Sequence, residues 1–110
     1  MSAVDDDARF RALANPTRRT MLRLVRDDAR SVGALADELE MTQPAVSQHL
    51  AVLRDAGLVR MEPDGRRRLY RVDIEALAEV RQFFDEYWSS SVDRLADAAE
   101  RLAAERQVAS

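Results

Sequence analysis

Cysteine and lysine are both missing from this 110-residue chain, and histidine occurs once, at position 49. Without cysteine there are no disulfides and no thiolate metal sites, which fits a reducing compartment. The three glycines are scattered at 33, 57 and 65, so no glycine-rich phosphate loop can form. No Ser, Cys or acid stands in a recognisable constellation with His49, and an enzyme is not expected. Apolar runs fall well short of the roughly 18–20 residues that span a bilayer. The first seven residues, Met1–Asp7, are acidic where a signal peptide would be basic. These absences lead to the expectation of a soluble cytoplasmic protein of one domain, with no membrane partner and no cofactor.

What is present is charge, one third of all residues, with arginine as the only basic side chain. The net charge is −3, but its distribution is uneven. Residues 9–30 hold seven arginines against two aspartates, and residues 54–71 hold six against three acids. Such clusters are the electrostatic footprint to look for in a nucleic-acid binder, whatever the sum.

The most informative stretch is Thr42–Gly57. Thr42 suits an N-cap, Pro44 is tolerated in a first turn, and Gly57 suits the left-handed residue that closes a helix. Val46, Leu50 and Leu53 form an apolar stripe at helical spacing. Gln43, Ser47 and Gln48 lie off that stripe and carry no charge, as a surface laid against base edges in a DNA groove requires. Ahead of it, Ser31 caps a helix over 32–39 with the set Val32, Leu35, Ala36 and Leu39. Two short amphipathic helices joined by about three residues make a helix-turn-helix over 32–56, its second helix the one that reads DNA. An ordinary helical hairpin would share that spacing, and the residues after Gly57 decide between the two.

Leu58–Glu62 and Arg66–Val72 read as two strands around the turn Pro63-Asp64-Gly65, an arginine-rich wing over 58–72. The fold class predicted is mainly α with a small β-hairpin, a winged helix-turn-helix of order α-α-α-α-β-β-α. The other helices lie at 5–14, with Phe10, Leu13 and Ala14 on its apolar side, at 16–28 behind the start signal Asn15-Pro16, and at 74–106. In the helix over 16–28, Met21, Leu22, Leu24 and Val25 face inward and Arg18, Arg19, Arg23 and Arg26 outward. Arg18, Arg19, Thr42, Arg54, Arg66, Arg67 and Arg68 are the candidates for phosphate contacts, against the alternative of a solvated surface. The last helix is too long for so small a core to cover. Leu77, Val80, Phe84, Tyr87, Trp88 and Leu95, with Phe10, are therefore candidates for a homodimer interface. His49 completes an i, i+3, i+4, i+7 set with the apolar stripe, which allows either a hydrogen-bonded edge position or a DNA contact.

Ala12-Leu13-Ala14-Asn15-Pro16-Thr17-Arg18-Arg19, Ser47-Gln48-His49-Leu50 and Leu53-Arg54-Asp55-Ala56-Gly57-Leu58-Val59 together resemble the arsenic-repressor-type (ArsR) family of bacterial winged-helix regulators. Gly65-Arg66-Arg67-Arg68-Leu69-Tyr70 is similar to the wing of that family. The resemblance covers roughly residues 8–73. It implies a homodimer built on the first and last helices, bound to a pseudo-palindromic operator in double-stranded DNA and repressing transcription until a signal releases it. By position, Gln43, Ser47 and Gln48 match family residues that face DNA, while Pro44 departs from the pattern. Metal sensors of the family carry a cysteine pair before the recognition helix, or Asp, His and Glu ligands on the last helix. Here the first location reads Val32-Gly33-Ala34-Leu35-Ala36-Asp37, and the last helix has carboxylates such as Asp85 and Glu86 but no His. Carboxylates without imidazole or thiolate are a poor transition-metal set. The resemblance therefore points to a metal-independent regulator released by a small molecule, a partner protein or its own concentration. The runner-up is a winged-helix protein-interaction module that does not bind DNA.

Overall fold

The computed structural model describes the backbone of residues 3–109 and the side chains of 6–108. Met1 and Ser2, the start of the acidic N-terminal stretch, lie outside the described residues. Seven elements run in order: α1 (Ala3–Leu13), α2 (Pro16–Asp27), α3 (Val32–Leu39), α4 (Gln43–Asp55), β1 (Val59–Asp64), β2 (Arg67–Val72) and α5 (Ile74–Ala109). By contacts the chain divides into two units, Met1–Ala78 and Glu79–Ser110, with α5 running through the boundary.

Local chemistry sets the helix starts. Asn15, Ser31, Thr42 and Asp73 each accept a hydrogen bond from the backbone N–H three residues on, at 3.1–3.3 Å. Each such cap contributes about 1 kcal/mol by satisfying a donor that has no partner in the first turn. The helix ends differ in kind. Gly57, at φ +75°, closes α4: its N–H reaches Arg54 O at 2.9 Å and that of Leu58 reaches Leu53 O at 2.9 Å. This paired 5→2 and 6→1 arrangement is a Schellman motif, and a left-handed residue makes it possible. At the end of α3 the left-handed residue is Glu40, at φ +54°, with Met41 N–H on Ala36 O at 3.0 Å. A residue with a Cβ is strained there.

The core of the first unit gathers one face from every element. Met21 and Val25 of α2, Leu35 of α3, and Val46, Leu50 and Leu53 of α4 are essentially inaccessible, as are Leu58 and Val72. Full burial of each such side chain is worth about 1.5–3 kcal/mol. Leu24, expected inside, is only half-buried, and Ala14 falls beyond the end of α1 and is exposed. Among the described residues of α1 the buried one is instead Ala12.

The hairpin pairs Val59 with Val72 through Asp64 with Arg67. The turn therefore falls at Gly65-Arg66, two residues past the Pro63 predicted to begin it, and Pro63 and Asp64 belong to β1. Gly65 has φ +62° and Arg66 does not have a positive φ, the pattern of a type II′ hairpin turn that matches the strand twist. Leu58, expected to open the first strand, instead sits fully buried before it, its carbonyl accepting from Asp73 N–H at 2.8 Å. The link before α3, which has no strand-like pattern of its own, adds a partial third strand. Arg30 and Tyr70 exchange both backbone hydrogen bonds, at 3.0 and 2.8 Å.

The second unit consists of α5 from Glu79 on. Phe83 and Phe84 meet edge to face with ring centroids 5.4 Å apart, and Arg81 pairs with Asp85 at 3.4 Å. Ser89, Ser90 and Ser91 do not interrupt the helix; Ser91 Oγ donates to Tyr87 O at 3.0 Å.

Candidate nucleic-acid interface

Thr42 fixes where α4 begins, and the buried stripe Val46, Leu50, Leu53 fixes which side faces in. What remains exposed is Gln43, Pro44, Ser47, Gln48, Ala51, Val52, Arg54 and Asp55. At 100° per residue, Gln43 and Gln48 stand about 140° apart around the helix axis. The two amides thus flank an exposed arc whose middle carries the short side chains of Pro44, Ser47 and Ala51. Small residues in the middle let the helix backbone come close to a partner, while the longer amides reach to either side. From Gln43 to Val52 the exposed arc has no charge; Arg54 and Asp55 close it. The Gln43 amide lies back toward α3, where a Cβ added at Gly33 would stand 3.6 Å from Gln43 Nε2.

The wing adds cations of two sorts. Arg67 is paired with Asp64 at 3.1 Å, and Arg71 with Glu62 at 3.6 Å. Arg66 at the tip and Arg68 on the return strand are exposed and have no ion-pair partner among the described residues. Arg60, opposite Arg71, is also exposed.

Arg18 and Arg19 are not simply solvated side chains on the outer face of α2. Arg18 donates from Nε to Ala12 O (2.8 Å) and from Nη2 to Arg11 O (3.0 Å), and Arg19 Nη1 donates to Leu13 O (2.9 Å). Both guanidiniums therefore cap the carboxyl end of α1, where carbonyls lack intrahelical partners and the helix dipole is negative. Arg19 remains exposed and Arg18 is half-buried. Arg9 does the same for α4, its Nε donating to Ala56 O at 3.1 Å. The helical pattern does not single out Arg9. No sequence signal points to Arg9, since α4 already has its closing Gly57; for Arg18 and Arg19 the signal is the lack of a closing glycine after Leu13, which leaves the last carbonyls of α1 in need of side-chain donors. Arg30 also escapes the sequence reading; it pairs with Glu38 of α3 as well as with the Tyr70 backbone.

His49 is half-buried on the flank of α4, and its Nδ1 stands 3.4 Å from Arg18 Nη1. At the end of α2, Arg26 donates two hydrogen bonds to Asp27, at 3.1 and 3.2 Å. Those bonds, and then the arginine's charge, hold the Asp27 carboxyl below its ordinary range. The pair is solvent-exposed and lies outside the arc.

On α5, Phe84 (54% exposed), Tyr87 (71%), Trp88 (69%) and Leu95 (70%) are open to solvent in the single chain. Val80 is already buried, and Leu77 and Phe10 are half-buried. Among the described residues no three His, Cys, Asp or Glu side chains gather as metal ligands, and no helix is long and apolar enough to cross a membrane.

Comparison with known proteins places this geometry. Residues 15–61 match the family model described as bacterial regulatory protein, arsR family. The HTH-type transcriptional regulator Rv2034 of Mycobacterium tuberculosis is 41% identical over 78% of this chain and 80% of its own length. The HTH-type transcriptional repressor SmtB of the same organism is 44% identical over 64% of this chain, which spans about half (53%) of that repressor. Among solved structures, an ArsR-like transcriptional regulator from Rhodococcus sp. RHA1 superposes with a TM-score of 0.78 at 26% identity, over 94% of this chain and 96% of the other. The homodimeric winged helix-turn-helix DNA-binding domain of Mb0332 from Mycobacterium bovis gives 0.64 at 30% identity, over 74% of this chain and 80% of the other. The family and these relatives are transcriptional regulators rather than enzymes. The chain belongs to the arsR family of bacterial regulatory proteins, DNA-binding transcriptional regulators, and its fold is their winged helix.

Proposed function

We propose that the protein is a homodimeric repressor that binds a pseudo-palindromic operator through α4 and responds to a signal other than a transition metal. The carrying observation is the uncharged exposed arc of α4, short in the middle and flanked by amides, on a helix whose start, end and buried side are all fixed. In this reading Gln48 bonds an adenine edge in bidentate fashion, and Gln43 and Ser47 read neighbouring edges, each good contact giving about 1–3 kcal/mol of discrimination. Arg19, Thr42, Arg54, Arg66, Arg67 and Arg68 contact phosphate. Arg18 is held by α1 and does not reach phosphate.

Dimerisation places two α4 helices about one DNA turn apart, roughly 34 Å. The exposed apolar side chains of α5, Phe84, Tyr87, Trp88 and Leu95, supply that contact, with Leu77, Val80 and Phe10 contributing what their own chain leaves uncovered. The named homodimeric relative and the named repressor support dimerisation and repression respectively. Metal independence is supported by the donor set: no cysteine, and a single histidine turned toward Arg18. A regulator of this kind works where the chromosome is, in the cytoplasm.

Gln48→Ala tests base reading. The affinity ratio between the operator and a scrambled duplex of equal length should fall about tenfold, the equivalent of about 1.4 kcal/mol. An unchanged ratio removes Gln48 from base reading.

A further inference from the structure

Three helices meet at one side chain. The backbone of Arg18 is fixed in the first turn of α2 by its N–H bond to Asn15 Oδ1, 3.1 Å. From there the guanidinium turns back across α1, with Nε on Ala12 O and Nη2 on Arg11 O. Its third nitrogen, Nη1, faces Nδ1 of His49 on α4 at 3.4 Å. All three nitrogens are therefore engaged, two by α1 and one by the recognition helix.

The chemistry of that last contact has only one sense. A guanidinium carries donors and no acceptor, so the ring nitrogen facing it must present a lone pair. A hydrogen bond at this place therefore requires the ring in its neutral form with the proton on Nε2. Two charge-assisted bonds to the negative end of α1 hold Arg18 independently of His49. The ring adapts to the guanidinium, not the reverse.

Apolar packing alone leaves a gap that this contact fills. Val46, Leu50 and Leu53 hold α4 against the core, but hydrophobic attraction has no direction and resists a small rotation about the helix axis weakly. A directional contact at the flank of the stripe opposes it. His49 directly succeeds Ser47 and Gln48, so a rotation of α4 carries all three together. Bidentate base contacts need that rotation held within narrow limits.

We propose that Arg18 is a positioning residue for base reading, fixing the rotation of α4 by donating to Nδ1 of a neutral His49 from an anchor on the end of α1. The proposal rests on α4 being the DNA-reading helix.

Arg18→Met removes the donors and keeps much of the aliphatic stem, and His49→Leu removes the acceptor. His49→Asn places Oδ1 close to where Nδ1 stands and keeps the acceptor. Arg18→Met and His49→Leu should each lower the operator-to-scrambled affinity ratio about tenfold, and combining them should cost no more than either alone. His49→Asn should stay within about twofold of wild type. An unchanged ratio in folded Arg18→Met overturns the proposal, as does a His49→Asn loss equal to that of His49→Leu. If Arg18→Met does not fold, the Asn and Leu variants decide alone. Because there is one histidine, long-range proton–nitrogen NMR of the DNA-free protein reads its tautomer without ambiguity. A bare Nδ1 and protonated Nε2 are expected, and a proton on Nδ1 overturns the proposal. A wild-type protein with no operator preference would refute the DNA reading itself, while the NMR result would still report on the contact.

Discussion

Replacing Arg66, Arg67 and Arg68 together by alanine separates the electrostatic part of DNA binding from the reading of sequence. All three are exposed, none contributes to the core, and among the described residues the only ion pair they make is Arg67 with Asp64. Exposed pairs of that kind add little to stability, so the variant should fold as the wild type does. Two unpaired guanidiniums per chain become four in a dimer. Their loss should flatten the plot of log affinity against log salt by about 3.6, at roughly 0.9 for each phosphate no longer neutralised. If Arg67 also leaves Asp64 for phosphate, six contacts go and the change becomes about 5.4. Phosphate contacts carry no sequence information directly, so affinities for operator and scrambled DNA should fall in parallel. Fluorescence anisotropy over a KCl series from about 50 to about 200 mM, where the salt term is steep, measures both quantities. A salt slope equal to the wild-type value would show that the wing does not touch the backbone. A selective loss on operator DNA would place it in base reading instead.

Gly57→Ala should destabilise the fold by about 1 kcal/mol, the cost of a Cβ at left-handed φ, since the added atom meets Arg9 Nη2 only at an ordinary 3.5 Å; an unchanged urea midpoint would contradict this. Glu40→Gly should do the opposite and stabilise by about 0.5–1 kcal/mol, the relief of strain exceeding the entropy that glycine adds to the unfolded chain. A lower thermal midpoint would show that the Glu40 side chain does something else. Phe84→Glu with Trp88→Glu should turn the dimer into a folded monomer, since aromatic hot spots contribute about 2 kcal/mol or more each. Light scattering and circular dichroism together check it, and an intact dimer would move the interface away from these side chains.

The sequence discloses what is local and withholds what is distant. Asn15, Ser31, Thr42 and Asp73 cap helices through bonds spanning three residues, and each is identifiable from its own neighbourhood. The uncharged arc of α4 is equally legible, because helical geometry alone separates Gln43, Ser47 and Gln48 from Val46, Leu50 and Leu53. The arginines are not. Arg9 bonds a carbonyl 47 positions away, and Arg18 reaches a histidine 31 positions away. Nothing in a helical pattern distinguishes such a side chain from a solvated one. The wing turn is displaced from its expected place for a different reason. Pro63 resembles a turn former, but in a two-stranded sheet it can occupy β1, while the positive φ of Gly65 sets the turn. Val80 shows the limit of reading an interface from spacing, since the single chain already buries it.

The most direct measurement is hydroxyl-radical footprinting of the wild-type protein, at low ionic strength and with competitor DNA, on the region upstream of its own gene. Two α4 helices presented by a dimer should protect two patches about 10 base pairs apart, related by approximate two-fold symmetry in the bases they cover. Uniform cleavage along the whole fragment, at protein concentrations where the dimer is fully formed, would contradict it.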